Sequence, residues 1–375
     1  MKSLLKPSLN WLLVFVPVAV FLDFGGPGKE TWTFIAACIA VIPLAGWMGK
    51  ATEHLAERTS EGVGGLLNAT FGNAAELIIA FMAMRRGLDD IVKASLTGSI
   101  IGNILLVLGA SLLAGGLKHK EQRFNAIGAR TQSTLLMLAA IALIAPAAFH
   151  HSTGPSATRS ETALSLDISI ILLVTYALGL WFSLKTHKHY FAAHGHSIDE
   201  NEGVQRDHGI RDVWPLPVSF IVLLAATGLV AWISEILVGS VETAAHSLGM
   251  SHVFVGVIVV AIIGNAAEHS TAIMMALKNR MDLSLGIAIG SSIQVALFVA
   301  PVLVLTSHFF AAEPMDLVFT LPEVIAVALA VGITSQIAGD GKSNWLEGIL
   351  LLAVYAILAV IFYFMPESAA SVGSH

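Results

Sequence analysis

Charge is what this 375-residue chain has least of: Asp, Glu, Lys and Arg together make up only 12% of it. A soluble domain usually carries about 25%. Cysteine occurs once, as Cys38 in an apolar run, which excludes a disulfide framework. No His-Glu-x-x-His motif is present, and the histidines gather in polar stretches such as His150-His151 and 187–208. That argues against an intramembrane enzyme such as a metalloprotease. No basic block is large enough to suggest nucleic acid as a partner. What is there is apolar. Hydrophobic residues make up 55% and mean hydropathy is +0.78. Glycine, frequent in membrane helices, occurs 33 times. The chain is expected to be an all-α polytopic membrane protein, with the lipid bilayer as its main partner.

A crossing helix needs roughly 20 mostly apolar residues. Eleven such runs are expected, near 9–24, 31–49, 64–84, 94–116, 131–149, 166–184, 214–234, 253–277, 285–307, 317–337 and 345–365. The first ends in Phe21-Leu22-Asp23-Phe24 without a small-residue cleavage site, so it reads as a retained helix and not a signal peptide. Segment 235–252 reads as a long helix end or a short re-entrant piece. With the N-terminus inside and the sides alternating, only Lys29, Arg85, Arg86, Lys93 and Arg159 of the 20 Lys and Arg fall outside. Cytoplasmic segments should carry that excess. The expectation is a cell (inner) membrane protein with a cytoplasmic N-terminus and an external C-terminus.

Self-similarity orders these spans. Gly72-Asn73-Ala74-Ala75-Glu76 recurs as Gly264-Asn265-Ala266-Ala267-Glu268, 192 positions later, and the register holds without a gap to Gly98-Ser99 and Gly290-Ser291. Ten of the 28 positions are identical, Asp90 and Asp282 among them; those two read as flanking helix ends. Five spans separate the copies, so they cross in opposite directions. This predicts a 5+5 inverted-topology repeat with one extra N-terminal helix. The units are 1–28, a first repeat at 29–184, a cytoplasmic polar linker at 185–212 and a second repeat at 213–375. Gly-interrupted segments at matching positions of inverted repeats point to a transport site near the midplane.

The motif suits a hard cation. A carboxylate at a helix centre costs about 2.5–3.5 kcal/mol on insertion scales, so Glu76 and Glu268 in apolar surroundings are not there for packing. A proton or a divalent cation relieves two facing carboxylates. Ca²⁺ takes roughly 6–8 oxygen ligands. Asn73 and Asn265, three residues before each glutamate, share its helix face and supply amide oxygens. Gly72 and Gly264 permit a helix break that frees carbonyls toward a cavity. Ser99 with Asn103, and Ser291 with Gln294, add further oxygens from the next spans, with packing an equal alternative; Ser292 is weaker. His269 stands beside Glu268 where the first copy has Leu77, and reads as a proton shuttle or a packing histidine. Glu53, Glu57, Glu235 and Glu242 lie near span ends and read as solvated residues more readily than gates.

The paired Gly-Asn-Ala-Ala-Glu motifs resemble those of the Ca²⁺/H⁺ antiporter family of the Ca²⁺/cation antiporter superfamily. So do Gly-Ser-Ile-Ile-Gly-Asn at 98–103, Gly-Ser-Ser-Ile-Gln at 290–294 and Lys-Thr-His-Lys-His-Tyr-Phe at 185–191. The resemblance covers nearly all of the chain beyond the first span. It implies eleven helices and coordination of the cation by Glu76 and Glu268. Supporting roles fall to Asn73, Asn265, Ser99, Ser291 and Gln294, and some members are trimers. The family's inter-half segment is often strongly acidic, whereas here it holds only Asp199, Glu200, Glu202 and Asp207. The aspartate-bearing motifs of the Na⁺/Ca²⁺ branch are absent, which leaves protons as the simpler counter-ion. The expected function is alternating-access exchange of cytosolic Ca²⁺ for external protons, with Glu76, Glu268 and His269 in proton coupling. Ca²⁺ is the transported substrate and no cofactor is expected. The alternative is proton-coupled exchange of monovalent or mixed cations.

Overall fold

The computed structural model describes residues 9–26, 28–153, 158–187, 190 and 213–365. Lys2, Lys6 and most of the 185–212 linker lie outside the described residues. The chain is helical almost throughout, as a backbone without water must be. The helices are α1 (Leu9–Asp23, opening on a 3₁₀ turn), α2 (Glu30–Ala56), α3 (Glu61–Phe71), α4 (Ala74–Arg85), α5 (Asp89–Lys118), α6 (Ala126–Thr153) and α7 (Ser160–Thr186). After the linker come α8 (Leu216–Leu248), α9 (His252–Gly264), α10 (Ala266–Leu277), α11 (Met281–Phe310), α12 (Leu321–Ile337) and α13 (Trp345–Phe364).

Among the described residues seven helices are long and apolar enough to cross a membrane, and nine crossings result if α3–α4 and α9–α10 each count as one bent span. α1 and α12 coincide with expected spans but fall below that length. The ambiguous 235–252 segment is no re-entrant piece. α8 runs unbroken for 33 residues and stops where Gly249 takes φ +65°, the left-handed position a helix end gives to glycine. Exposed Phe21, Trp181, Leu224, Phe309 and Phe364 stud the outer surface, as expected of side chains that face lipid.

The sequence offset reappears as geometry. α4 and α10 start at Ala74 and Ala266; α5 and α11 span Asp89–Lys118 and Met281–Phe310. Both long helices relax into π-helical turns at matching places, Gly102–Val107 and Val295–Val299. α5 and α11 cross at the centre, where the Ser292 hydroxyl donates to the Ile100 carbonyl at 3.2 Å. Ile100 is the residue 192 positions before Ser292, so equivalent positions of the two copies meet at this contact. Around the crossing, α2 packs along α8, and both bury small residues, among them Ala37, Ala40 and Ala51 on one and Ala244 and Ala245 on the other.

Helix ends sort into two faces. On one, Gln122-Arg123 pairs antiparallel with Lys342-Ser343, and Lys118 Nζ donates to the Leu277 carbonyl at the end of α10. On the other lie Arg86–Glu235, Lys93–Asp316 and His150–Glu161. Lys93 sits inside the second turn of α5 with its side chain mostly buried, held by Asp316.

Candidate functional site

The two bent helices build the site. The helices break at Gly72-Asn73 and Gly264-Asn265, by 41° and 62°, and glycine, with no Cβ, leaves room there for close approach. Each break places its glutamate one turn into the following half-helix, at its positive end. Glu76 and Glu268 therefore stand in the first turns of α4 and α10. The halves interlock here. A Cβ on Gly264 would lie 3.3 Å from Glu76 Cγ, and one on Gly72 would lie 3.8 Å from Glu268 Oε1. Each glutamate packs on the other half's break.

Both carboxylates line one cavity of about 650 Å³, with Gly72, Gly264, Ser291 and Gln294. The cavity continues past Asn68, Glu53, Lys50, Asn125 and Asp282 toward the face bearing the strand ladder. Asn73, Asn265 and Ser99 are buried behind its wall. Asn73 Nδ2 donates to Gln294 Oε1, and Asn265 Nδ2 donates to Ser99 Oγ at 3.1 Å and to the Ala261 carbonyl at 2.9 Å. The Ser291 hydroxyl donates to Glu268 Oε2.

The unpaired atoms are informative. Asn73 Oδ1, Asn265 Oδ1 and Glu76 Oε2 are buried acceptors without a hydrogen-bond partner. Such groups are costly unless something satisfies them. With the amide nitrogens tied back, the oxygens are the atoms left over. Oxygen-only donors of carboxylate and amide type suit Mg²⁺, Ca²⁺ or Mn²⁺. Among the described residues no group of three or more His, Cys, Asp and Glu is arranged to hold a metal, so any cation held here leans on amides, carbonyls and hydroxyls as well as the two glutamates.

Two expected participants stand apart. Asn103 and His269 are not in the cavity wall. Asn103 is buried in the π turn of α5, and His269 Nε2 is buried without a hydrogen-bond partner. Asn68 and Glu53 were missed in the wall. Asn68 lies four residues before Gly72 and so on its face of α3, a spacing that was readable. Asp282 does flank a helix end, where it accepts from the Asn125 backbone N–H at 2.6 Å.

Taken together, the fold and site define a polytopic helical membrane protein of duplicated, transporter-like architecture. The family described as sodium/calcium exchanger protein matches residues 29–185 and 218–364. The Ca(2+)/H(+) antiporter of Aphanothece halophytica is 46% identical over 95% of this chain and 96% of its own length. The Ca(2+)/H(+) antiporter ChaA of Bacillus subtilis is 48% identical over 88% of this chain and 92% of its own. The chain belongs to this family, among the Ca²⁺/H⁺ antiporters. The solved structure of native YfkE superposes with a TM-score of 0.80 at 44% identity, covering 96% of this chain and 100% of that one. The H+/Ca2+ exchanger CAX shares the fold, with a TM-score of 0.66 at 17% identity over 95% and 91%.

Proposed function

We propose that the protein exchanges Ca²⁺ for protons across the cell membrane, with Glu76 and Glu268 binding either ligand in turn. The observation that carries this reading is one cavity lined by a glutamate from each half and backed by buried acceptor oxygens that lack donors. The close relatives named as Ca²⁺/H⁺ antiporters supply the ion pair. Asn73, Asn265, Ser291 and Gln294 complete the oxygen set, with the freed backbone around Gly72 and Gly264. In the orientation set by lysine and arginine, N-terminus cytoplasmic and C-terminus external, the present cavity faces the cytoplasm.

Coupling follows from electrostatics. Two ionised carboxylates away from water cost several kcal/mol each unless compensated. Two protons, or one Ca²⁺, provide the compensation, and only then does the site reorient between faces. Because metal binding requires deprotonated ligands, Ca²⁺ and protons compete.

Everted vesicles with an acid interior are expected to take up Ca²⁺ as the pH gradient collapses, with Na⁺, K⁺ and Mg²⁺ as competitors to rank selectivity. Calorimetry across a pH series gives the second measurement. Apparent Ca²⁺ affinity should fall as pH is lowered, by up to about 100-fold per pH unit where both carboxylates hold protons. Affinity indifferent to pH, with no proton release, would place coupling away from this pair.

A further inference from the structure

Opposite the mouth of the cavity the molecule is sealed, in a closed seam where α5 lies on α9 and a Cβ on Gly98 would collide with the Val257 backbone. Beside it, the same helix turns a second face to α12 and to the loop before α12. Asp89, Lys93 and Thr97 follow one another at four-residue spacing and share that face of α5. The equivalent residues of α11, 192 positions on, are Met281, Leu285 and Ile289, all buried. An apolar stripe at this place therefore satisfies the fold. A buried ion pair adds little stability over such a stripe, so the charged version has another reason to be there.

The charges on this face are unequal. Lys93 Nζ donates to Asp316 Oδ1 at 2.5 Å. Among the described residues it is the one ammonium for Asp89, Asp316 and Glu323, and Asp90, Glu313 and Asp316 all act on Asp89. Glu323 lies deepest, 2% exposed, in the first turn of α12. Its Oε2 accepts from the Thr320 backbone N–H at 2.9 Å and from the Thr320 hydroxyl at 2.6 Å. Its Oε1 is buried without a hydrogen-bond partner, and so is Oγ1 of the fully buried Thr97. Lys93 and Thr97 are the groups of α5 near enough to act on the Glu323 charge. The neighbouring helices end on this face with titratable groups of their own. His150 of α6 bonds Glu161 of α7 at 2.8 Å and packs on His151, and Tyr363 of α13 packs on Phe254.

We propose that Glu323 is a third proton-binding carboxylate, filled from the external face and separate from the Glu76–Glu268 pair. A proton on Oε1 lets the carboxyl O–H donate to Thr97 Oγ1, which satisfies both orphaned atoms. It also leaves Lys93 to Asp316, the arrangement seen here. At higher external pH the proton passes to water, and ionised Glu323 draws on Lys93 alongside Asp316. The shared ammonium then clamps α5 to α12. Because α5 carries Ser99, bonded to Asn265 behind the site, the clamp slows exchange and external acid relieves it. The inference rests on the exchange reading and adds to it an effect of external pH on rate, beyond the driving gradient.

Glu323→Gln keeps an acceptor for the Thr320 cap and fixes the neutral form. In everted vesicles, whose lumen is the external face, the variant and the wild type should exchange alike at a lumen of about pH 5.5. As the lumen is brought to about pH 8 with the bath held constant, the ratio of variant to wild type should rise at least about threefold. A flat ratio overturns the proposal. Lys93→Leu with Asp316→Asn supplies a second arm. Leucine is what α11 carries at 285, and asparagine keeps an acceptor for the Val318 N–H. Without the ammonium the same rise is expected, and wild-type dependence on lumenal pH would overturn the clamp. Infrared spectra of the purified proteins give a reading independent of transport. Wild type minus Glu323→Gln should show a protonated-carboxyl band at acid pH that vanishes on alkalinisation, and absence of the band overturns the proton site. No exchange by the wild type in the same vesicles would instead sink the Ca²⁺/H⁺ reading, with the infrared band still deciding the proton site.

Discussion

The two halves of the site carry the same five-residue motif and meet different neighbours. Glu268 has one oxygen held by the Ser291 hydroxyl, whereas Glu76 keeps Oε2 buried and unpartnered. Asn73 reaches across to Gln294, and Asn265 reaches across to Ser99 while also bonding back to its own helix. Duplication supplies two equal carboxylates; divergence of the crossing helices makes them unequal. Position 294 is glutamine in the second half, and its equivalent, Gly102, carries no side chain. The difference leaves Glu76 the looser carboxylate, the one with an oxygen still to be satisfied.

The largest expected effect tests whether both carboxylates are needed despite that inequality. Glu76→Gln and Glu268→Gln each keep the shape and remove a titratable charge. Either should lower Ca²⁺-driven proton movement in vesicles at least about 100-fold, since a site with one carboxylate no longer balances a divalent ion. A variant with wild-type exchange would show that its glutamate is not part of the coupling pair.

The amides come next. Asn73→Ala and Asn265→Ala each delete one unpartnered oxygen buried behind the cavity wall. Calorimetric Ca²⁺ affinity should weaken by about tenfold, equivalent to about 1.4 kcal/mol, with residual exchange retained. Each variant strands its partner, Gln294 or Ser99, but Asn265→Ala also loses the bond to the Ala261 carbonyl, so it should lower the melting temperature more. Equal melting temperatures for the two variants would remove the asymmetry.

The break glycines separate site from scaffold. A Cβ on Gly72 would lie 2.6 Å from the Asn68 carbonyl of its own helix. Gly72→Ala should therefore cost stability, about 1–3 kcal/mol. At Gly264 the tight neighbour is Glu76 Cγ at 3.3 Å, so Gly264→Ala should mainly shift the carboxylate, weakening Ca²⁺ affinity a few-fold with little change in melting. Thermal unfolding in detergent beside calorimetry distinguishes them; reversed outcomes would mean the interlock across the halves is wrong.

How much of this was readable beforehand differs by feature. The duplication, the glutamates and the break points were legible, because a gapless 192-residue offset with identical Gly, Asn and Glu carries directly into α4, α5, α10 and α11. Which polar residues stand in the wall was less so. Asn73, Asn265, Ser99, Asn103 and His269 all fall off it, because spacing alone does not tell a residue at the cavity surface from one buried behind it. Glu53 and Asn68 looked like solvated or unremarkable positions, since their exposure is to an internal cavity and hydropathy does not distinguish cavity from bulk water. The open and closed seams were not legible at all. Gly64 and Gly256 are the same residue in the same register, yet Gly64 lies against the Ala56 carbonyl and Gly256 against Ala94 and the Ile91 carbonyl.

The smallest effect concerns the tie between halves at the open end, where the ladder joins the loop after α5 to the loop before α13. Arg123 and Lys342 are paired across its two strands. The Glu121 carboxylate accepts from Lys342 Nζ at 3.4 Å and from Arg123 Nε at 3.2 Å. These hydrogen bonds, that of Lys342 first, hold the exposed carboxyl below the usual carboxylate range. A folded-state value below the unfolded one means the stabilisation is present above the unfolded pKa of about 4.3 and is lost as pH falls through the folded value. Glu121→Gln should thus lower the melting temperature at pH 7 slightly, by less than about 2 °C, as an exposed pair allows. The gap should close near pH 3 and shrink in high salt. At the sealed end the contact among Gly98, Gly256 and Val257 should not share this sensitivity, because it is made by backbone and apolar atoms. A variant with a large melting shift at every pH would mean the ladder is a rigid strut and not a light tether, and the open end would then be no freer to move than the sealed one.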